Sequence, residues 1–118
     1  MHELSIMEDV LEISVNHAKA NGAERIRKIT ICAGALSNII PKWATLFFRM
    51  VGKDTIAEGA VLDFITLPAE VVCRDCGKRS EIEVNPPVFR CAHCGSGNVG
   101  LVSGREFRVV SIEIGIDR

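Results

Sequence analysis

The chain has 118 residues, of which 47% are hydrophobic and 25% charged. This composition is too apolar for a disordered chain. The length is sufficient for one folded domain with a small attached module. The net charge of −1 argues against non-specific nucleic-acid binding, which requires a basic surface. No run approaches the roughly 20 apolar residues of a membrane span, and the acidic N-terminus is unlike a signal peptide, so no membrane association and a cytoplasmic location are expected.

The first predicted helix runs from Ser5 to about Asn21. Ser5 has the character of an N-cap, and Glu8 three residues later completes a capping box. Gly22 supplies the stop signal. Apolar residues cover most of the helix surface, so this helix is expected to pack on a sheet.

The second predicted helix begins at Pro41, a residue favoured at the first helical position, and ends near Gly52. Its apolar residues recur with the spacing of one helical face: Trp43, Leu46, Phe47, Met50 and Val51. Three strands are predicted over residues 28–33, Val61 to Leu67 and Phe107 to Ile114. Because a helix lies between the first two strands, a right-handed parallel crossover and a mixed sheet are expected.

Two Cys-x-x-Cys-Gly pairs lie between the second and third predicted strands, and they are formed by Cys73, Cys76, Cys91 and Cys94. Such pairs are typical of structural zinc sites, in which four thiolates leave no open coordination position for catalysis. Iron, as in rubredoxin-like sites, is the competing metal. The predicted fold class is therefore α+β: a small mixed three-stranded sheet with two helices, residues 1–72 and 97–118, and an inserted zinc-ribbon module, residues 73–96.

The remaining cysteine and two of the three histidines have ordinary structural interpretations. Cys32 is expected to be a small, partly exposed apolar residue of a strand. His93 is expected to be an exposed turn residue, because four thiolates already saturate the zinc. His17 is expected to pack at the edge of the first helix's apolar face.

His2 has a chemically distinctive position. A free Met1 amine, the His2 imidazole and the backbone amide nitrogens of His2 and Glu3 could all reach one cation. Once an amide is deprotonated, this nitrogen-rich set suits the tetragonal geometry of Ni²⁺ or Cu²⁺. Taken alone, the pattern is weak evidence, because many proteins begin Met-His by chance and a frayed terminus is the ordinary interpretation.

Over essentially its full length the chain resembles the hydrogenase nickel-incorporation proteins of the HypA/HybF family. The residues that carry the resemblance keep their order and spacing: Met1-His2-Glu3-Leu4-Ser5, Gly34, Leu36-Ser37, Pro41, Leu46-Phe47, Glu58-Gly59-Ala60, Leu62, the cysteine pairs, Cys94-Gly95-Ser96, Gly104-Arg105-Glu106 and Ser111-Ile112-Glu113. Two departures lie in one loop, where Ala35 replaces a common glutamate and Asn38 replaces a glycine.

The resemblance implies a nickel metallochaperone for the maturation of nickel–iron hydrogenase. It implies a nickel site at Met1, His2 and Glu3, in which Met1 and Glu3 contribute backbone nitrogen, and a separate zinc domain held by the four cysteines. Nickel is then the transient cargo and zinc the structural ion. The implied partners are a HypB-like maturation GTPase and the precursor of the hydrogenase large subunit, with urease accessory proteins as further candidates.

Two other classes of function remain as alternatives. A zinc-ribbon interaction or nucleic-acid-binding module without nickel cargo would need a basic or aromatic face, but the chain has no Tyr, one Trp and no concentrated Lys/Arg stripe. An enzyme would need a nucleophile elbow, a phosphate loop or an open-site metal triad, and none is recognisable. The protein is therefore predicted to be neither an enzyme nor a nucleic-acid-binding protein.

Overall fold

The computed structural model describes the backbone of residues 2–116 and the side chains of residues 3–116. Its elements follow in chain order: α1 (His2–Ala20), β1 (Arg25–Gly34), α2 (Pro41–Gly52), β2 (Val61–Leu67), β3 (Glu70–Cys73), β4 (Arg79–Glu81), β5 (Val99–Ser103) and β6 (Phe107–Gly115). No helix among these described residues is long and apolar enough to cross a membrane.

The chain divides into two compact units. The first unit comprises Met1–Ile31, Ile39–Ile65 and Arg108–Arg118, and the second comprises Cys32–Asn38 and Thr66–Phe107. Each unit is therefore assembled from segments that are far apart in sequence.

The first sheet has the strand order β2-β1-β6. The Glu24 amide donates to the Gly115 carbonyl and the Gly34 amide to the Glu106 carbonyl, so β1 and β6 run antiparallel. On the other side of β1, the Ile26 amide donates to the Ile56 carbonyl, just before β2. The Ala35 amide donates to the carbonyl of Leu67, the last residue of β2, so β1 and β2 run parallel. The predicted mixed three-stranded sheet is confirmed.

Helix α1 begins three residues earlier than the sequence pattern indicates. The helix runs from His2, so the prediction of Ser5 as N-cap is wrong. His2, Glu3 and Leu4 adopt helical backbone, and none of them is a Gly or Pro that would oppose it. Buried side chains at Met7, Val10 and Ala18 fix the helix in the core of the first unit.

Helix α2 has the predicted limits, Pro41 to Gly52. Its apolar residues, however, lie on two faces and not on one. The fully buried residues of this helix are Ala44, Phe48 and Gly52, whereas Trp43 and Leu46 of the predicted stripe remain substantially exposed. Periodicity identified the helix correctly because apolar residues occur on two of its faces.

The second sheet, of order β4-β3-β5, was not predicted. Strand β3 pairs antiparallel with both neighbours, and Ala69, Val71 and Ile82 form a small buried core beneath it. The predicted module of residues 73–96 lies inside the second unit. The unit extends past it on both sides, because β3 begins at Glu70 and β5 ends at Ser103.

Candidate metal centre

The two Cys-x-x-Cys segments fold into matching turns. The Gly77 amide donates to the Cys73 carbonyl at 2.9 Å, and the Gly95 amide donates to the Cys91 carbonyl at the same distance. Both glycines have a φ of 77°, in the left-handed region that a residue with a Cβ rarely adopts. The glycine after each pair therefore lets the chain turn back so that both sulfurs of the pair point to one place.

The four thiols form one compact cluster. The Sγ atoms of Cys73, Cys76, Cys91 and Cys94 all lie within 4.8 Å of one another. Cys73 and Cys94 approach to 3.5 Å, and Cys76 and Cys91 approach to 3.6 Å. Sulfurs bound tetrahedrally at the usual zinc–sulfur distance lie roughly 3.8 Å apart. The cluster thus fits a four-coordinate thiophilic ion, and it leaves no coordination position open.

The cluster pairs two acidic thiols with two weakly acidic ones. Backbone N–H groups of Cys94 and His93 lower the pKa of Cys91 to about 6, and those of Cys76 and Asp75 lower the pKa of Cys73. Thiolate is the form that binds metal. The N–H groups of the turns therefore favour the metal-binding form of Cys91 and Cys73.

Cys94 and Cys76 hold their protons more strongly. The Ser96 backbone N–H acts to lower the pKa of Cys94, but the hydrogen bond to Cys73, desolvation and the other thiols outweigh it and raise this pKa to about 12. For Cys76, the Lys78 backbone N–H likewise lowers the pKa, and desolvation with the Cys91 and Cys73 thiols raises it overall. In the absence of metal, the cluster therefore holds two thiols of lowered pKa and two of raised pKa.

A polar clamp, formed by Arg74, Asp75, Ser96 and Asn98, joins the two turns beside the sulfurs. The Asp75 carboxylate accepts hydrogen bonds from the Ser96 hydroxyl and from the Asn98 side-chain amide, and these two bonds lower the pKa of Asp75. The Arg74 guanidinium reaches the Asn98 side-chain oxygen. The clamp holds one turn against the other without using a cysteine.

Strand β4 supports the second turn from the opposite side. The Ala92 amide donates to the Ser80 hydroxyl at 3.2 Å, and Ser80 is a buried polar residue. The His93 ring Nε2 lies 3.2 Å from the Arg79 carbonyl oxygen. His93 is thus an exposed turn residue with a structural contact, and it is not part of the described metal cluster.

Cys32 lies apart from the four-cysteine cluster. It is in β1 with 3% of its surface exposed, so it is more deeply buried than its alternation with polar residues indicates. His17 is exposed on α1. Neither residue belongs to a group of potential metal ligands among the described residues.

The predicted nickel residues lie at the limit of what the structure describes. Met1 falls outside the described residues, and His2 is described only as the first residue of α1. Glu3 is half-buried, and its Oε2 atom is buried without a hydrogen-bond partner among the described groups. The assignment of nickel to Met1, His2 and Glu3 therefore stays a prediction.

Known proteins match this chain over nearly its whole length. Residues 1–114 match the family model described as hydrogenase/urease nickel incorporation, metallochaperone, hypA. The chain is 31% identical over 114 residues to the hydrogenase maturation factor HypA of Acidithiobacillus ferrooxidans, which covers 97% of this chain and 99% of that protein. It is 33% identical over 118 residues to the HypA of Aquifex aeolicus, covering 99% and 100% of the two chains.

Two solved structures share the fold. A solution structure of HypA protein superposes with a TM-score of 0.72 at 26% identity, over 99% of this chain and 98% of that one. The solution structure of the Ni metallochaperone HypA from Helicobacter pylori gives a TM-score of 0.66 at 24% identity, over 98% of each chain. The full-length family match, together with relatives above 30% identity, shows that this chain belongs to the HypA family of nickel metallochaperones, which are hydrogenase maturation factors and not enzymes.

Proposed function

We propose that the chain carries nickel at its N-terminus on a scaffold that a structural zinc ion holds together. The observation that carries the zinc assignment is the approach of four sulfurs to within 4.8 Å of one another. Cys73, Cys76, Cys91 and Cys94 would each supply one thiolate. Zinc is favoured over iron because it binds such sites without redox chemistry and serves in them as a structural ion.

The nickel cargo is proposed to bind the Met1 amine, the His2 imidazole and backbone nitrogen of His2 and Glu3. The start of α1 at His2 supports this set, because the first N–H groups of a helix have no intrahelical acceptor. Deprotonating the His2 or Glu3 amide would therefore break no helical hydrogen bond. The buried Glu3 Oε2, which has no hydrogen-bond partner among the described groups, gives further support, since a nearby cation offsets the cost of burying a carboxylate oxygen.

Release of the cargo is proposed to occur one ligand at a time. Amine, imidazole and amide nitrogen all bind protons in competition with metal, so a fall in pH or an incoming ligand displaces nickel. The four-cysteine site lacks such exchange because its coordination shell is closed. The N-terminal site thus holds the transient cargo, and the four-cysteine site holds the structural ion.

The family assignment implies interaction with hydrogenase maturation machinery. Within that machinery we propose two partners, a HypB-like GTPase that exchanges nickel with this chain and the precursor of the hydrogenase large subunit that receives it. Urease accessory proteins are further candidate partners, because the matching family model covers both hydrogenase and urease nickel incorporation. A cytoplasmic location is proposed on the same grounds.

Metal stoichiometry tests both assignments at once. The untagged full chain is purified and exposed to Ni²⁺, and its metals are measured after unbound ions are removed by gel filtration and again after dialysis against a weak chelator. One zinc that survives dialysis and one nickel that exchanges are expected. Iron in place of zinc would overturn the assignment of the four-cysteine site, and absence of stoichiometric nickel would overturn the cargo site.

A further inference from the structure

Helix α2 presents apolar side chains on the side that faces away from the core of the first unit. Ala44 and Phe48 are buried, whereas Trp43 is 46% exposed and Leu46 is 44% exposed. Trp43 is the only tryptophan of the chain. Exposed Trp beside exposed Leu is unusual on a free surface and common at the centre of protein interfaces.

These exposed side chains form one wall of a groove between α2 and β2. The groove has a volume of about 480 Å³, with Trp43 and Leu46 on its helix side and Leu62 and Phe64 on its strand side. Strand β2 is at an edge of its sheet. The groove therefore has apolar side chains on both of its sides.

The charges that line the groove are all positive. Lys42 and Arg49 lie at its wall, and no Asp or Glu among the described residues lines it. Asp63, between Leu62 and Phe64 in sequence, points to the other face of β2 and pairs with Lys28 at 3.6 Å. The Lys42 ammonium lies 5.6 Å from the Trp43 ring centre, so its charge is held over the apolar wall. The groove is therefore locally cationic, although the net charge of the chain is −1.

We propose that this groove docks a segment of a protein partner that carries carboxylates beside apolar side chains. The apolar side chains enter between Trp43 and Phe64, and the carboxylates pair with Lys42 and Arg49. Trp and Arg are the residues that most often dominate binding energy at such surfaces. The docking surface does not depend on the metal sites, and it adds a recognition element to the proposed carrier.

A different protein suits the groove better than a second copy of this chain does. The first unit also has an acidic groove along α1, where Glu8, Glu12 and Asp54 are among the lining residues, so two copies could in principle join through opposite charges. That contact would be head-to-tail, because it joins two different surfaces. Head-to-tail contacts that do not close produce filaments, which a carrier that must reach its client would not tolerate.

The single Trp makes docking directly measurable. A display library of random peptides, each of about twelve residues, is panned on the zinc-loaded full chain, and the selected peptides are synthesised. Because Trp43 lines the groove, its fluorescence is expected to shift to shorter wavelength as each peptide excludes water. The selected peptides are expected to combine Asp or Glu with Leu, Ile or Phe, and peptides without Trp are used so that Trp43 is the only emitter.

Variants then locate the binding surface. Leu46→Ala and Arg49→Glu are each expected to weaken peptide affinity at least about tenfold. Matched controls lie on β6, at the opposite edge of the sheet: Arg108→Glu makes the same charge change and Ile114→Ala removes a similar exposed side chain, and each should change affinity less than about twofold. Thermal melting and zinc content confirm that all four variants fold.

Four outcomes would overturn the proposal: failure to select any peptide, selection of basic peptides, unchanged Trp43 emission on binding, or equal loss of affinity in the β6 controls. Sedimentation of the peptide-free chain tests the other occupant. Self-association that Leu46→Ala abolishes would show that a second copy fills the groove, and it would likewise refute docking of an acidic partner.

Discussion

The sulfur atoms of Cys73 and Cys94 lie 3.5 Å apart, although 21 residues separate these cysteines in the chain. Each belongs to a different turn, so the cross-turn approach requires both turns to be correctly folded and correctly placed. Formation of the metal centre therefore depends on the fold of the second unit, and a change in either one should affect the other.

Replacing any one of the four cysteines by Ser should release zinc and disorder the two turns. An open coordination shell loses affinity, and metal binding supplies much of the folding free energy of small metal modules. Metal analysis and amide hydrogen exchange over residues 73–96 measure the two effects. Cys32→Ala is the matched control, because it removes a buried thiol outside the cluster. Full zinc retention in two of the ligand variants would refute the four-thiolate site.

Zinc binding should release fewer than four protons at pH 7.5. Zinc binds thiolates, so each thiol that is still protonated must lose its proton on binding. Cys91, with a pKa of about 6, is already mostly thiolate at this pH, and the lowered pKa of Cys73 favours its thiolate form. Cys94, with a pKa of about 12, and Cys76, whose pKa is raised, must deprotonate. Affinity should therefore rise with pH.

Titration calorimetry of the metal-free chain in buffers of different ionisation enthalpy counts the released protons. The slope of observed enthalpy against buffer enthalpy gives the number directly. A value near four would mean that the turn N–H groups do not stabilise thiolates before metal binds.

Asp75→Ala should speed zinc loss although Asp75 is not a ligand. The substitution removes the hydrogen bonds that Ser96 and Asn98 donate across the two turns. Loss of a group that orients metal ligands typically costs at least about tenfold in affinity. Zinc transfer to a chromogenic chelator measures the rate, and Glu81→Ala, an exposed acid on β4, controls for charge. Equal rates in both variants would show that the clamp has no influence on the site.

Cys32→Ala should leave zinc content and nickel binding unchanged. The thiol is buried in β1 away from the four-cysteine cluster, so its removal should cost only about 1 kcal/mol of folding free energy. Thermal unfolding measures that cost, and metal analysis checks the rest. Loss of either metal would assign Cys32 a role that its surroundings do not indicate.

Features encoded within a few residues could be predicted from the sequence. Pro41 and Gly52 bound α2 in both sequence and structure, and the Cys-x-x-Cys-Gly pairs give the two turns. Asn38 has a φ of 63°, a conformation that Gly adopts freely and Asn tolerates. These features are local, so a short window of sequence contains the physical reason for each.

Features that depend on distant partners could not be predicted. Strand β3 pairs with the distant strand β5, in register Cys73 to Val99, and both strands are too short for a strong alternating pattern. The clamp from Asp75 to Ser96 is likewise non-local. The exposure of Trp43 was also missed, because periodicity reports that a helix is amphipathic but not which of two apolar faces meets the core.

The last prediction concerns the N-terminus, where His2→Ala and an added residue before Met1 should each abolish stoichiometric nickel binding. The two changes remove different ligands: one removes the imidazole, and the other turns the terminal amine into an amide while keeping every side chain. Calorimetric titration with Ni²⁺ measures the loss. Because α1 begins at His2 and not at Ser5, the fold must be checked in both variants.

Thermal stability and zinc content should nevertheless stay near those of the unmodified chain, because α1 is held by buried residues further along, Met7 first among them. Glu3→Gln should weaken nickel binding less than His2→Ala does, since the proposed set uses the residue 3 backbone nitrogen and the buried Oε2 atom only adjusts local charge. If nickel binds the extended chain with unchanged stoichiometry, the terminal amine is not a ligand. The exposed imidazoles of His17 and His93 then become the groups to substitute next.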